Sequence, residues 1–207
     1  MLKYIFFLLT VLFLNPCLWQ TALAADPEES NEYLTVSQPE NPFQNSLIIV
    51  YSVTGNTLKM AQIIQEKTGA ELFVIETEET YPVGDQLIPY LKKLRDDKII
   101  PKLKEFKLDI SKYDYIFLGT PVWFHDIPAP TKVFLDQTDF AGKPVVPFVT
   151  AGGGPGEILT SLSEAIQNAE IKEAKIISRY AAKPQEDIIN EVELWLESLN
   201  TSSNTTR

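Results

Sequence analysis

Leu47-Ile48-Ile49-Val50-Tyr51-Ser52-Val53-Thr54-Gly55-Asn56-Thr57 is the stretch whose reading decides the fold. It opens with an unbroken apolar run rich in β-branched side chains, which suits a strand covered on both faces. A turn of hydroxyl residues follows. Residues 56–68 then carry a helical pattern, with Leu58, Ala61 and Ile64 on one side and Gly69 as the stop. Ser52, Thr54 and Thr57 offer hydroxyl donors, Gly55 permits a sharp turn and a close backbone approach, and Asn56 can cap or donate. The first amides of a helix lack intrahelical acceptors and point at whatever precedes them, so they favour an anion. The turn holds neither the lysine of loops that bind nucleotide triphosphates nor the GxGxxG pattern of a dinucleotide pyrophosphate site. This chemistry matches a single terminal phosphate held by hydrogen bonds. The alternative is an ordinary Ser/Thr/Gly turn before a capped helix.

Outward from this stretch, apolar runs predict further strands at residues 71–75, 113–119, 144–150 and 174–178. Helical spacing predicts helices at residues 87–98, 131–136, 157–168 and 185–199, with residues 101–110 as a link. Five strands alternating with helices imply an α/β protein with a parallel sheet covered on both faces. Ligands of such sheets bind beyond the carboxyl ends of the strands. Three unusual loops fall there, at residues 52–57, 120–126 and 151–156.

In the second loop, Trp123 and Phe124 stand between Pro121 and Pro128 just after a buried strand. A planar heteroaromatic ring can stack on such a side chain. Their other use is to cover the sheet edge, and Phe124 is expected to be the more buried of the two. His125, the single histidine, has neighbouring Asp126 but no ligand cluster for a metal. The third loop, Ala151-Gly152-Gly153-Gly154-Pro155-Gly156, brings backbone close to something flat, or else serves only tight turning. Neither a Ser-His-Asp set nor a spaced pair of hydrolytic carboxylates is evident.

The 207-residue chain is long enough for one domain with a sizeable core. Its start has a different character. Lys3, an uncharged apolar run over residues 4–14 and Ala22-Leu23-Ala24 form the pattern of a secretory signal peptide over residues 1–24. The apolar run is short for a membrane span, so no stable span is expected after cleavage. An uncleaved anchor and a lipoprotein attached at Cys17 are the alternatives, although Asn15-Pro16 lacks the small residues that lipid attachment prefers. Residues 25–45 are polar, acidic and dotted with Pro27, Pro39 and Pro42, and read as a flexible leader. The domain is expected over residues 46–200, with a polar tail at residues 201–207.

Cleavage after Ala24 leaves no cysteine, which excludes disulfides and thiolate chemistry. The formal charge of −10 becomes about −11 without Lys3, which argues against nucleic acid or an anionic membrane surface as partner. That acidity suits a basic protein partner, or solubility alone.

Three motifs together resemble the flavodoxin family: Ser52-Val53-Thr54-Gly55-Asn56-Thr57, Phe117-Leu118-Gly119-Thr120-Pro121-Val122-Trp123-Phe124 and Pro147-Phe148-Val149-Thr150-Ala151-Gly152-Gly153-Gly154. In order and separation they cover nearly all of residues 46–200. The resemblance is to a branch with a glycine-rich third loop. That branch usually has Trp and Gly where this chain has Phe124 and His125, and a His in place of Ala151.

The resemblance implies a flavodoxin-like three-layer sandwich, a five-stranded parallel sheet in the order 2-1-3-4-5, and flavin mononucleotide (FMN) as cofactor. By family position, Ser52, Thr54, Gly55, Asn56 and Thr57 would hold the phosphate. Pro121, Val122, Trp123 and Phe124 would border the isoalloxazine ring. Gly152, Gly153 and Gly154 would meet its other side or its pyrimidine edge. The implied function is electron transfer through FMN outside the cytoplasm, in the periplasm or as a secreted protein. Its partners would be a redox protein donor or acceptor, or a small quinone-like molecule. The alternatives are an FMN-dependent NAD(P)H reductase of quinone-like acceptors and a flavodoxin-like binding protein that has lost flavin.

Overall fold

Parallel strands dominate the computed structural model, which describes residues 41–204. The signal-peptide segment at residues 1–24, and residues 25–40 of the leader, lie outside the described residues. Strand β1 (Ser46–Val50) leads to helix α1 (Asn56–Thr68) and β2 (Glu71–Val74). Helix α2 (Leu87–Asp96), β3 (Tyr115–Pro121), α3 (Ala129–Asp136) and β4 (Lys143–Ala151) follow. The chain continues through α4 (Ile158–Ala165), β5 (Ala169–Ile171), β6 (Lys175–Ser178) and α5 (Gln185–Asn204).

The sheet order is β2-β1-β3-β4-β5, and every pairing between these strands is parallel. This is the three-layer α/β sandwich with five sheet positions in the order 2-1-3-4-5. The fifth position is divided. Residues 143–145 of β4 pair with β5, and residues 148–151 of the same strand pair with β6. The sequence pattern shows only the second segment, because β5 has three residues and two of them are exposed.

Alternation along the strands sorts side chains to two faces. Ile48, Val50, Phe117, Val146 and Phe148 face α1 and α5, where Met60, Ile64, Val192 and Trp195 complete one core. Leu47, Ile49, Ile116, Leu118 and Val145 face α2, α3 and α4, where Leu91, Phe134 and Leu162 complete the other. Phe117, Phe134 and Phe148 have no exposed surface, and burying each stabilises the fold by about 1.5–3 kcal/mol. Gly119 lets β3 lie against β4. A Cβ there would stand 2.2 Å from the Phe148 ring, its partner in register.

Two boundaries differ from expectation. Residues 41–45, assigned by sequence to the leader, pack on the domain. Phe43 is buried against Tyr115 and Phe117, and the Asn41 side-chain amide donates to the Thr68 carbonyl at 2.8 Å. At the other end, α5 continues to Asn204, into the stretch assigned by sequence to the polar tail.

Tyr113 precedes β3, and its hydroxyl donates to Glu71 Oε2 on β2 at 2.6 Å. That hydrogen bond and burial push its pKa up to about 12. An unfolded tyrosine ionises near 10. Between these values the folded chain holds a proton that the unfolded chain has lost, so stability falls as pH rises through this window. Denaturant melts at stepped alkaline pH should show this loss, and Tyr113→Phe should reduce its slope between pH ~10 and ~12.

Candidate functional site

Strands β1, β3 and β4 end side by side, so the loops that follow them share one edge. Tyr51 N–H donates to the Gly119 carbonyl at 3.0 Å, and Val122 N–H donates to the Thr150 carbonyl at 3.0 Å, which carries the pairing into the loops. Thr57 and Thr150 share a buried hydroxyl–hydroxyl hydrogen bond of 2.7 Å, fixing the start of α1 to the end of β4. Thr120 and Thr131 form a second such pair at 3.0 Å, fixing the end of β3 to α3.

The first loop ends at Gly55, the N-cap of α1, with φ 83° and ψ −8°. This left-handed conformation favours glycine. A Cβ at Gly55 would meet no atom within 4 Å, so the glycine leaves open space at the helix start. Among the described residues no side-chain cap hydrogen bond is made at this helix start and no acidic residue lies in its first turn, which leaves those amides for an anion. Ser52 and Asn56 are half-buried, and the Thr54 side chain is exposed. Thr57 is different: it is buried, and its hydroxyl is engaged with Thr150. These groups are donors around a space, which fits a phosphate and does not fit a cation.

The second loop is a two-residue hairpin turn. Trp123 and Asp126 exchange both backbone hydrogen bonds at 3.0 Å, and the intervening Phe124 and His125 have φ of 50° and 68°. Two consecutive left-handed residues define the type I′ turn, normally built with Asn and Gly. The turn reverses the expected order of burial. Phe124 points outward and is 38% exposed, whereas Trp123 is half-buried. Trp123 contacts the rings of Tyr51 and Tyr81 at centroid distances of 5.6 and 5.8 Å. The Arg95 guanidinium, from α2, lies 4.4 Å from the centre of the Phe124 ring. Pro121 and Val122 are half-buried behind the turn.

Tyr51 brings a buried hydroxyl that has no hydrogen-bond partner among the described residues. Burial is the main cause that pushes its pKa up, with the Tyr81 hydroxyl adding to the effect. Burial likewise raises Tyr81 to about 12, helped by Tyr90 and Glu79. Both phenols therefore stay neutral at physiological pH.

In the third loop, Gly152, Gly153 and Gly154 are exposed, and a Cβ on any of them would meet nothing within 4 Å. Internal crowding does not require glycine there, which leaves bare backbone open to approach from outside. Gly156 is constrained instead. It has φ 61°, and its Cβ would stand 2.4 Å from His125 Cβ and 2.4 Å from the His125 carbonyl oxygen. Glu157 N–H donates to that same carbonyl at 3.0 Å. The glycine loop is thus clamped to the tip of the aromatic turn.

All twelve expected site residues lie on these three loops or their flanks at one sheet edge. Sequence reasoning missed Thr150, Tyr51, Tyr81 and Arg95. A buried threonine beside the glycine loop was a readable signal for Thr150, whereas nothing local marks Arg95, which reaches the turn from another helix. Among the described residues, no group of three or more His, Cys, Asp or Glu is placed to hold a metal. No helix among them is long and apolar enough to cross a membrane.

Such an edge defines the class of open α/β proteins that hold a phosphorylated, flat ligand outside the carboxyl ends of their strands. The family model described as Flavodoxin matches residues 45–198, and the chain belongs to that family. Two solved structures are similar at 25% identity. One is a flavoprotein in complex with FMN from Lactobacillus acidophilus NCFM, with TM-score 0.56 and coverage of 64% of this chain and 93% of that chain. The other is a protein from Bacteroides eggerthii DSM 20697, with TM-score 0.58 and coverage of 74% and 96%. An NAD(P)H dehydrogenase (quinone) from Archaeoglobus fulgidus is 31% identical over 100 residues, 44% of this chain. The chain spans about half the length of that curated relative, 50%. The fold and the flavoprotein relatives imply FMN as the bound group.

Gly156→Ala should destabilise the domain by about 2–4 kcal/mol, from overpacking against His125 and a left-handed Cβ. Gly154→Ala, which meets nothing, should stay within about 0.5 kcal/mol of the parent. Denaturant midpoints of the two variants check the clamp.

Proposed function

We propose that this protein is an FMN-dependent oxidoreductase that takes electrons from NAD(P)H and passes them to a quinone-type acceptor. The observation that carries the FMN site is the uncapped start of α1 behind the open space at Gly55, beside an aromatic turn and bare glycine backbone. The sequence similarity to an NAD(P)H dehydrogenase (quinone) supports the choice of donor and acceptor.

In this reading, the Ser52 and Thr54 hydroxyls and the amides of Gly55, Asn56 and Thr57 bind the phosphate. The Thr57–Thr150 hydrogen bond holds that helix start in place. Pro121, Val122, Trp123 and Phe124 border the ring, and Tyr51 and Tyr81 set the plane of Trp123. Gly152, Gly153 and Gly154 present amides to the ring's polar edge. FMN supplies acceptance and return of one or two electrons. The chain's part is to orient the ring and to exclude water from its buried side. Action outside the cytoplasm is part of the proposal, supported by the signal-peptide pattern of residues 1–24. An N-terminus at Ala25 in protein recovered from its host would support export.

Purified protein titrated with FMN should show saturable binding, and Gly55→Val should lose it while remaining folded by circular dichroism. Trp123→Ala should weaken FMN by about 1–3 kcal/mol, on the scale of aromatic stacking. Anaerobic NADH or NADPH should bleach the bound flavin, and a quinone should restore its colour. Bleaching only by a reduced protein donor would favour an electron carrier over a reductase. A folded protein that binds no FMN would overturn both.

A further inference from the structure

Behind the aromatic turn, away from the glycine loop, lies a cavity of about 310 Å³ that none of the phosphate-loop residues lines. Its floor is apolar, from Leu91 and Leu94 of α2, Ile99 beyond that helix, Trp123, and Ile127 after the turn. Its polar lining includes two cationic side chains, Arg95 from α2 and Lys132 from α3, together with Asp126. Each group has a definite state. Arg95 donates from Nε and one Nη to Asp96 Oδ1, at 3.0 and 2.8 Å, and lies on the Phe124 ring. The guanidinium is therefore held in place while the other edge of its fork stays available. Lys132 makes no ion pair among the described residues.

The acidic lining residue, Asp126, turns Oδ1 to its own loop and accepts from the Ile127 amide at 2.7 Å. A ligand here meets an apolar, aromatic floor and two cationic side chains, Arg95 paired with Asp96 and Lys132 without an ion pair among the described residues, beside the Asp126 carboxylate. A cavity of this size, with a few placed polar groups, has the form of a small-molecule site.

We infer that this cavity binds a planar aromatic anion, a fused-ring molecule carrying a carboxylate or sulfonate, between Arg95 and Lys132 on the floor formed by Trp123. As a site for an anionic quinone acceptor, it rests on the proposed oxidoreductase reading. The aromatic turn would then be a wall shared by two sites, with the acceptor on one side and the flavin ring on the other. Binding itself does not depend on that reading.

Naphthoquinone sulfonate is a direct probe, because a quinone seated beside an indole quenches its fluorescence. The titration is made on flavin-free protein and repeated at saturating FMN. Saturable quenching is expected in both, and Trp123→Phe should remove it. Trp195 is buried in the core on the opposite side of the sheet and serves as the internal control. The Arg95→Gln, Lys132→Gln double variant should weaken the sulfonate by about tenfold or more, as loss of charge-assisted hydrogen bonds predicts, with little change for neutral naphthoquinone. Lys93→Gln, on the same helix outside the cavity, should leave affinity unchanged. Ile99→Glu, in the apolar floor at a residue that is partly exposed, should abolish binding in a folded protein.

No quenching of folded parent protein, equal affinity for the neutral and anionic quinones, or an unaffected double variant would each overturn the inference. Displacement of the probe by FMN would also overturn it, by making the cavity part of the flavin site. Loss of FMN binding with the sulfonate site intact would overturn the oxidoreductase reading alone.

Discussion

Parallel pairing of β1, β3 and β4 forces three successive loops to leave the sheet at one edge. Ile48 opposite Phe117, and Phe117 opposite Val146, keep the three strands in register through fully buried side chains. A shift of one residue would exchange the side chains of the two faces, and neither core would keep its packing. The loops inherit this register. The Thr57–Thr150 hydrogen bond joins residues 93 apart in the chain, and it forms only because β1 and β4 both flank β3 at a fixed height. The helix start that can receive an anion is thereby placed with the precision of a sheet, although it begins in a loop.

The aromatic turn is the costly part of this edge. Left-handed conformations at Phe124 and His125 cost of order 1–3 kcal/mol each, and only surroundings that over-determine them can keep them. Four things do so here: the paired hydrogen bonds between Trp123 and Asp126, the bond from Glu157 to the His125 carbonyl, the close packing of Gly156, and Arg95 on the Phe124 ring. They come from the turn itself, from Gly156-Glu157 and from α2. The strain is thus held by tertiary structure, and the turn in return fixes the half-buried Trp123 against Tyr51 and Tyr81.

The strand–turn–helix at residues 46–69 is legible in sequence because local rules agree there. An apolar β-branched run, a glycine at each end of α1 and a helical apolar stripe all specify the same structure, and Gly69 is left-handed as a helix-stopping glycine should be. The glycine loop is legible for the same reason. Legibility fails where tertiary context decides. The handedness of the 124–125 turn is invisible, because no Asn-Gly pair announces it, and so the relative burial of Trp123 and Phe124 is misread. Three-residue β5 carries too little pattern to register as a strand. Phe43 sits in a polar, proline-bearing stretch, and only the aromatic cluster with Tyr115 and Phe117 shows why it is buried.

The two faces of the aromatic turn differ in chemistry. Toward the phosphate loop the available groups are backbone amides and neutral hydroxyls, which hold charge without adding any. Toward α2 and α3 they are the side chains of Lys132 and of Arg95, the latter paired with Asp96, beside an apolar floor. In a chain of formal charge −10 the surrounding field opposes an approaching anion, so a pair of cations in a sheltered cavity has its effect at short range. Neutral donors suit a group that stays, bound by geometry. Localised cations over an open aromatic floor suit a group that comes and goes. One turn, strained into place by its neighbours, separates these two environments.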